Sequence, residues 1–296
     1  MADIVKYQNQ LNCDIEHYPL WKLLEVEQDI FMVILSKTTF DSSQTVEINL
    51  YDVCDKIGYT RTSINDFERI ANNLILKICN PKISLISDKK LVVFVCFDKL
   101  EYDRETKDLK VHIQDDFYAM VKNYQLGFTR FELAEFVSLS GNYTKTLYRL
   151  LKQWRTKGKW KVSINDFRRL LNIPESYRMR DIDRQVLTPA INQLKAEMDM
   201  IDDATGKKRI RFSNLQVEKE LEKGKHREQR GRKITDLIFT WDRETTKHKK
   251  KAEQPQLILK TKTKPKRKKL QDDQGRPLAE GYRRDENGNL VPDLHF

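Results

Sequence analysis

Basic and amide side chains are the groups in this sequence whose spacing most suggests a chemical task. The segment 223–233 holds six Lys and Arg residues and two glycines. Glycine lets a backbone approach a ligand closely, and lysine and arginine bind phosphate oxygens. A second basic cluster follows Gly206. We predict phosphate contacts from both clusters, namely from Lys225, Arg227, Arg230, Arg232 and Lys233 in the first and Lys207, Lys208 and Arg209 in the second.

A helix predicted over 180–198 precedes both clusters. Its predicted buried side is an apolar stripe at helical spacing, made of Ile182, Val186, Leu187, Ile191, Leu194 and Met198. Arginine can pair with guanine, and glutamine or asparagine with adenine. We therefore predict contacts with DNA bases or with the DNA backbone from the polar side of the helix and from the residues just before it. These are Arg178, Arg180, Arg184, Gln185, Thr188 and Asn192. An ordinary amphipathic helix with a solvated face would show the same pattern. Pro189 should kink this helix, because it lacks a backbone donor.

The charge of the chain is unevenly distributed. The net charge is +11 overall, −6 over residues 1–140, +10 over 141–246, +10 over 247–270 and −3 over 271–296. Such asymmetry is typical of a protein that binds a polyanion through its second half. A helix predicted near 145–155 adds Lys145, Arg149, Lys152 and Arg155 to this basic set. A merely solubilising charged surface is the alternative.

Enzymatic and metal-dependent functions find no support in the motifs. The five histidines form no His-x-His pair of the kind that a metal-dependent nickase needs, and the ten glycines form no Gly-x-x-x-x-Gly-Lys-Ser/Thr loop for a nucleotide. The four cysteines form no Cys-x-x-Cys pair. We therefore expect no catalysis, metal or cofactor. The longest apolar run, 91–97, is too short to span a bilayer, and a cytoplasmic protein without membrane contact is expected.

The pentapeptide Ser-Ile-Asn-Asp-Phe occurs twice, at 63–67 and 163–167. Its contexts differ, because a strand-like segment precedes only the second copy. At 63–67 a capping box of Ser63 and Asp66 would open a long helix, whereas in the second copy Asn165 would cap a short helix that stops before Pro174. A better internal repeat is offset by 116 positions and aligns the segment 46–51 with 162–167.

Each copy of this repeat predicts a helix, a short strand, a short helix, a turn, a longer helix and then strands. That order describes a winged helix-turn-helix, whose third helix fits the major groove of DNA. The predicted strands are 83–87, 91–97 and 109–113 in the first copy and 215–221 and 234–241 in the second. We therefore predict an α+β protein with two tandem winged-helix domains, 1–125 and 126–246, and a C-terminal tail, 247–296.

The first predicted domain is less clearly committed to DNA. Weak DNA contacts could come from its third helix, through Arg61, Thr62, Ser63, Asn65 and Arg69. Its acidic surface and the apolar hairpin that includes 91–97 also suit a protein interface. Charge does not decide between these roles.

The tail is predicted to be a disordered basic arm. Residues 247–270 carry eleven basic side chains and one acidic one, and 271–296 contain turn-formers without a helix or strand period. Such an arm would add sequence-independent contact with DNA. Alternatively, the apolar run 257–259 docks on a partner protein or packs as a strand.

Several of these segments resemble the iteron-binding replication initiators of plasmids. The similarity extends over roughly residues 4–242. The stretches that carry it are Ile4–Asn9, Glu27–Phe31, Phe128–Phe131, Leu147–Trp154, Lys159–Ile164, Val186–Asn192 and Gly231–Thr240. The proline within the third helix also looks like a trait of that family. The tail after Trp241 has no such likeness.

The resemblance implies two tandem winged helices whose monomers bind directly repeated double-stranded DNA at a plasmid origin and help to open it. It further implies contacts with a host replication initiator and a replicative helicase. Dimers formed through the first domain would bind an inverted repeat and repress the protein's own gene. A winged-helix transcriptional regulator without a replication role is the alternative, and a nuclear protein, suggested by the basic run 264–269, is a third. Direct repeats beside the gene would favour the initiator.

Overall fold

A computed structural model describes residues 3–13, 25–40, 43–58, 69, 72, 82–86, 91–124, 127–201, 206–222, 233–244, 282–284 and 290–292. The chain divides into two units, 1–246 and 247–296, and each is described by itself.

The first winged helix is built around a three-stranded antiparallel sheet in the order β2-β6-β5. A separate hairpin pairs β3 with β4. The strands are β1 (Ile4–Gln8), β2 (Thr45–Asn49), β3 (Lys82–Ile86), β4 (Leu91–Val95), β5 (Phe97–Tyr102) and β6 (Asp108–Ile113). The helices are α1 (Gln10–Cys13), α2 (Glu25–Phe40), α3 (Leu50–Lys56) and α4 (Asp115–Lys122). The predicted strand 91–97 is in fact two strands, because the chain bends at Cys96.

The second winged helix repeats this plan with a sheet in the order β8-β12-β11 and a hairpin of β9 with β10. The strands are β7 (Phe128–Glu132), β8 (Lys159–Ser163), β9 (Glu197–Ile201), β10 (Lys208–Ile210), β11 (Gln216–Leu221) and β12 (Ile234–Thr240). The helices are α5 (Leu133–Val137), α6 (Asn142–Gln153) and α7 (Ile164–Leu171). The long third helix, α8, follows as Met179–Ile182, Asp183–Leu187 and Thr188–Lys195. Strands β11 and β12 were predicted; the β9–β10 hairpin was not.

The internal repeat is real, but its predicted offset is wrong by two residues at the strand before the second helix. Strands β2 and β8 begin at Thr45 and Lys159 and end at Asn49 and Ser163, so they correspond at an offset of 114. In both, the second and fourth residues are buried. Because strand side chains alternate with a period of two, a two-residue slip preserves the buried face. The offset of 116 therefore looked equally good in sequence.

Side-chain caps place the start of each second helix. The Asn49 side chain accepts from the Tyr51 backbone N–H at 3.0 Å at the start of α3, and the Ser163 hydroxyl accepts from the Asp166 N–H at 3.0 Å at the start of α7. The cap of α7 is thus Ser163 and not Asn165, because the helix already begins at Ile164. It ends before Pro174, as predicted, with Asn172 in the left-handed region at φ 50°. Ser63 and Asp66 lie outside the described residues.

The two winged helices share one hydrophobic core. Strand β1, at the start of the chain, pairs antiparallel with β7, so that Val5 faces Phe131. The Asn12 amide donates to the Thr129 hydroxyl at 2.8 Å, and Asn12 accepts from the Tyr7 hydroxyl at 3.0 Å. All of these side chains are buried. The N-terminal strand therefore stabilises the junction between the two halves.

Pro189 shapes α8 in a way that a simple kink does not describe. The segment Asp183–Leu187 is a π-helical turn, in which the Thr188 N–H donates to the carbonyl of Asp183, five residues earlier. Pro189 has no N–H for the carbonyl four residues before it, and a widened turn accommodates that loss. The helix ends at Lys195, before the predicted end, and Met198 lies in strand β9.

In the C-terminal unit the structure describes a short antiparallel hairpin. Strand β13 (Tyr282–Arg284) pairs with β14 (Leu290–Pro292). The sequence indicated no strand here, and these six residues correct that expectation. The basic segment 247–270, with its apolar run 257–259, lies outside the described part of the chain.

Candidate nucleic-acid interface

Helix α8 has one buried and one exposed side, as its sequence predicted. Ile182, Val186 and Leu194 are fully buried, and Leu187 is 2% exposed. Ile191 packs partly against the core. The exposed residues include Arg178, Arg180, Arg184, Gln185, Thr188 and Asn192. The core therefore fixes the helix through one side and leaves guanidinium, amide and hydroxyl groups on the other.

The N-terminus of α8 is capped by the carboxylate of Asp181. The backbone N–H of Arg178 donates to Asp181 Oδ2 at 3.0 Å, within the first turn. Asp181 also faces Arg184, with 3.8 Å between its Oδ1 and the arginine Nη2. The Arg184 side chain is 70% exposed, so this pair leaves its guanidinium open to solvent. A negative charge at a helix N-terminus is favourable, which explains an acidic residue within a basic surface.

Strands β11 and β12 form the wing, and it is joined to α8 by an ion pair. Lys219 Nζ of β11 lies 2.6 Å from Asp183 Oδ2 in the π-helical turn. Beyond the last paired strand residues, next to the tip of the wing, the Glu222 N–H donates to the carbonyl of Lys233 at 2.9 Å. Lys233 is exposed there. The tip, 223–232, lies outside the described residues, and with it Lys225, Arg227, Arg230 and Arg232.

The residues of the second basic cluster, in the β9–β10 hairpin, point in different directions. Lys207 and Lys208 are exposed, and Lys208 Nζ lies 3.2 Å from Asp199 Oδ1. Arg209 instead points inward, with its two terminal nitrogens 2.6 Å from Glu132 and 2.8 Å from Glu135. The guanidinium of Arg209 therefore joins the hairpin to α5.

Two family models match most of the chain. The model described as "Initiator Replication protein, WH1" matches residues 4–152, and that described as "Initiator Rep protein, WH2" matches residues 163–241. The chain belongs to this family of replication initiators. The family resemblance noted in the sequence is thereby confirmed, and so are its two tandem winged-helix domains. The first model extends through α6, whereas the predicted division at 125/126 stays a prediction.

Relatives of this initiator agree with that assignment. A "Probable replication protein rep" of Bifidobacterium longum (strain NCC 2705) is 27% identical over 248 residues, which are 82% of this chain and 74% of the relative. The crystal structure of the Pi initiator protein in complex with iteron DNA matches with a TM-score of 0.57 and 15% identity, over 81% of this chain and 97% of that one. At this identity the likeness is one of fold.

The basic residues of α6 are not part of a phosphate-binding surface in the initiator. Lys145 and Arg149 are at most 1% exposed and Lys152 is 5% exposed. Lys145 forms an ion pair with Asp29 of α2, and Arg155 Nε lies 3.5 Å from a carboxylate oxygen of Glu244. The prediction that these four residues add to the DNA-binding set is wrong, because the fold largely buries them and holds them against Asp29, Asn12, Glu135 and Glu244.

The pKa values of two buried carboxylates in this junction are shifted in opposite directions. Burial raises the pKa of Asp29 to about 7, against the attraction of Lys145. Burial would also raise the pKa of Glu135, but Lys152, the hydroxyl of Tyr148 and Arg209 together hold that pKa below its usual value. Lys152 Nζ is 2.9 Å from Glu135. The charged side chains of this region therefore pair with one another inside the fold.

Of the DNA contacts predicted in the first winged helix, the structure describes only Arg69. Arg61, Thr62, Ser63 and Asn65 lie outside the described residues, and Arg69 is helical and exposed. The predicted apolar hairpin is present as β3 and β4. In the described ranges we find no helix with the length and hydrophobicity to cross a membrane. Nor do those ranges hold a group of side chains that could bind a metal ion.

Proposed function

We propose that this initiator binds directly repeated double-stranded DNA at a plasmid origin, with α8 in the major groove and the wing along the backbone. The observation that carries this proposal is the exposed polar side of α8, held by a fully buried apolar side and joined to the wing through Lys219 and Asp183. A winged helix with this arrangement can present side chains to base edges. The solved complex of the Pi initiator with iteron DNA supports the choice of ligand.

The residues of the interface fall into two groups in this proposal. Base contacts come from α8 and from the residue just before it, through Arg178, Arg180, Arg184, Gln185, Thr188 and Asn192. Phosphate contacts come from the wing and the β9–β10 hairpin, through Lys207, Lys208, Lys225, Arg227, Arg230, Arg232 and Lys233. Arg209 is reassigned to positioning the hairpin, since Glu132 and Glu135 hold its guanidinium.

The remaining functional expectations are part of the same proposal. The first domain mediates dimers and adds auxiliary DNA contacts through Arg61, Thr62, Ser63, Asn65 and Arg69. Monomers help to open the origin in the cytoplasm and engage a host replication initiator and replicative helicase, whereas dimers repress the protein's own gene. The role is non-catalytic and needs no cofactor. Support comes from the family assignment, from the acidic first half and from the resemblance to iteron-binding initiators.

A footprint on the plasmid DNA that flanks the gene tests the proposal. We expect a series of equally spaced protected segments over direct repeats, about two helical turns apart. Protection of one inverted repeat and nothing else would favour a transcriptional regulator. Equal protection of the flanking DNA and of shuffled DNA of the same composition would contradict sequence-specific binding.

A further inference from the structure

Gln185, in the π-helical turn of α8, is already hydrogen-bonded on one side of its amide. The hydroxyl of Tyr177 donates to Gln185 Oε1 at 2.6 Å. Tyr177 lies in the turn that leads into α8, eight positions before Gln185. Gln185 is exposed, whereas the ring of Tyr177 packs partly against the core. A partly buried tyrosine thus holds the carbonyl end of a surface amide.

Tyr177 is itself held from α7. Arg168 Nη2 donates to the Tyr177 carbonyl at 2.6 Å, and Arg168 Nη1 donates to the carbonyl of Pro174 at 3.4 Å. The Tyr177 N–H closes the turn onto Pro174 at 3.0 Å. The second helix of the winged helix therefore positions the tyrosine, and through it Gln185, before any ligand arrives. Such preorganisation avoids an entropy cost on binding.

The hydrogen bond changes what Gln185 can offer to a base. A free glutamine recognises adenine by donating to N7 and accepting from the N6 amino group. Here one of the two lone pairs of Oε1 already accepts from Tyr177, which leaves one acceptor position beside the two N–H bonds of Nε2. Donors of this kind match the N7 and O6 acceptors of guanine or the O4 acceptor of thymine. The adjacent Arg184 is a donor only.

We propose that Tyr177 is a specificity-determining residue of this initiator, which acts through Gln185. It fixes the orientation of the amide and occupies one of its two acceptor positions, and so favours guanine or thymine over adenine. Because Arg184 and Gln185 are neighbours on the exposed side, α8 selects acceptor-bearing base edges at this point of the groove. The inference rests on the proposed function of α8 as the base-contacting helix.

The test uses the full chain and a set of duplexes. Each base pair of one footprinted repeat is replaced in turn by the other three, and Kd is measured for the wild type, Tyr177→Phe, Gln185→Ala and the double variant. Tyr118→Phe, on α4, is a matched control that also removes one hydroxyl. Melting temperatures of all variants are measured in parallel.

We expect Tyr177→Phe to raise the relative affinity for adenine about tenfold at one position and to leave the other positions unchanged. Gln185→Ala should abolish discrimination at that same position, and the double variant should match Gln185→Ala. Equal weakening on every duplex, an unchanged base profile, or a shift at a position that Gln185→Ala does not affect would overturn the inference while leaving the proposed function standing. A wild-type protein with no preference for the repeat would overturn both.

Discussion

The ammonium group of Lys219 lies 2.6 Å from the Asp183 carboxylate, so that the wing strand β11 is joined directly to the π-helical turn of α8. Both side chains are about one-third exposed. The two elements that we assign to the groove and to the backbone are therefore coupled at the surface that would face DNA.

The first prediction concerns this pair. Lys219→Met removes a positive charge and leaves Asp183 unpaired, and it should weaken binding to any duplex several-fold. Asp183→Asn removes a negative charge near the phosphates and should strengthen binding to random DNA. The free energy of unfolding should change by less than about 1 kcal/mol in either variant, since exposed ion pairs contribute little. Fluorescence anisotropy at two salt concentrations measures the effect. Weaker binding by both variants would show that the contact acts by positioning α8.

The second prediction tests the reassignment of Lys145. Removing one partner of a buried ion pair is strongly destabilising, so Lys145→Ala should lower the free energy of unfolding by about 3–5 kcal/mol. The exposed Lys110→Ala is the matched control and should change it by less than about 0.5 kcal/mol. Urea denaturation measures both. A Lys145→Ala variant of normal stability with reduced DNA affinity would restore the phosphate-contact assignment.

The contrast between α8 and α6 shows which features could be predicted from the sequence. The buried stripe of α8 recurs at helical spacing, and the wing strands carry a period of two, so local patterns sufficed for both. The same periodicity on α6 does not reveal whether a lysine faces water or a distant carboxylate. Asp29 is 116 positions before Lys145. Only the tertiary fold, including the pairing of β1 with β7, brings them together.

The π-helical turn was also beyond local rules. Pro189 signalled a disturbance of α8, but a kink and a widened turn satisfy its missing N–H equally well. The contact between Tyr177 and Gln185 joins a residue before the helix to a residue within the widened turn. The hydrogen bond that orients the Gln185 amide therefore could not be predicted from the sequence.

The third prediction follows from the pKa of Asp29. Its ordinary value is 3.8, and burial raises the pKa to about 7 in the folded protein. A carboxyl with a raised folded-state pKa stabilises the fold at low pH and loses that contribution as pH rises. Thermal stability should therefore fall between pH 4 and pH 7 in the wild type. Asp29→Asn should flatten this part of the profile.

Glu135 should have the opposite effect to Asp29 on the pH dependence of stability. Its pKa is lowered, despite burial, by Lys152, by the hydrogen bond from Tyr148 and by Arg209. Its contribution is therefore present above the unfolded-state pKa and is lost as pH falls through the lowered folded-state value. Glu135→Gln should reduce the acid-induced loss of stability and leave the fall above pH 4 intact. An identical effect of both substitutions on the profile would contradict the opposite signs.

The fourth prediction concerns the tail, 247–296, removed by truncation after Thr246 so that the ion pairs of Glu244 with Lys152 and Arg155 stay in place. Residues 247–270 have a net charge of +10, so truncation should weaken binding to every duplex and make the affinity less dependent on salt. The footprint and the melting temperature should stay unchanged. A melting temperature lowered by several degrees would show that the tail packs on the fold. Intact DNA binding with lost plasmid replication would indicate a site for a replication partner.

The central claim is that the exposed side of α8 recognises bases, and one comparison tests it most directly. The affinities of the wild type, Arg184→Ala and Lys225→Ala are measured on a footprinted repeat and on a shuffled duplex, at a fixed salt concentration. Arg184→Ala should cost about 1–3 kcal/mol on the repeat and much less on the shuffled duplex, whereas Lys225→Ala should weaken both similarly. An equal loss from Arg184→Ala on the two duplexes would make Arg184 a phosphate contact and contradict the placement of α8 in the groove.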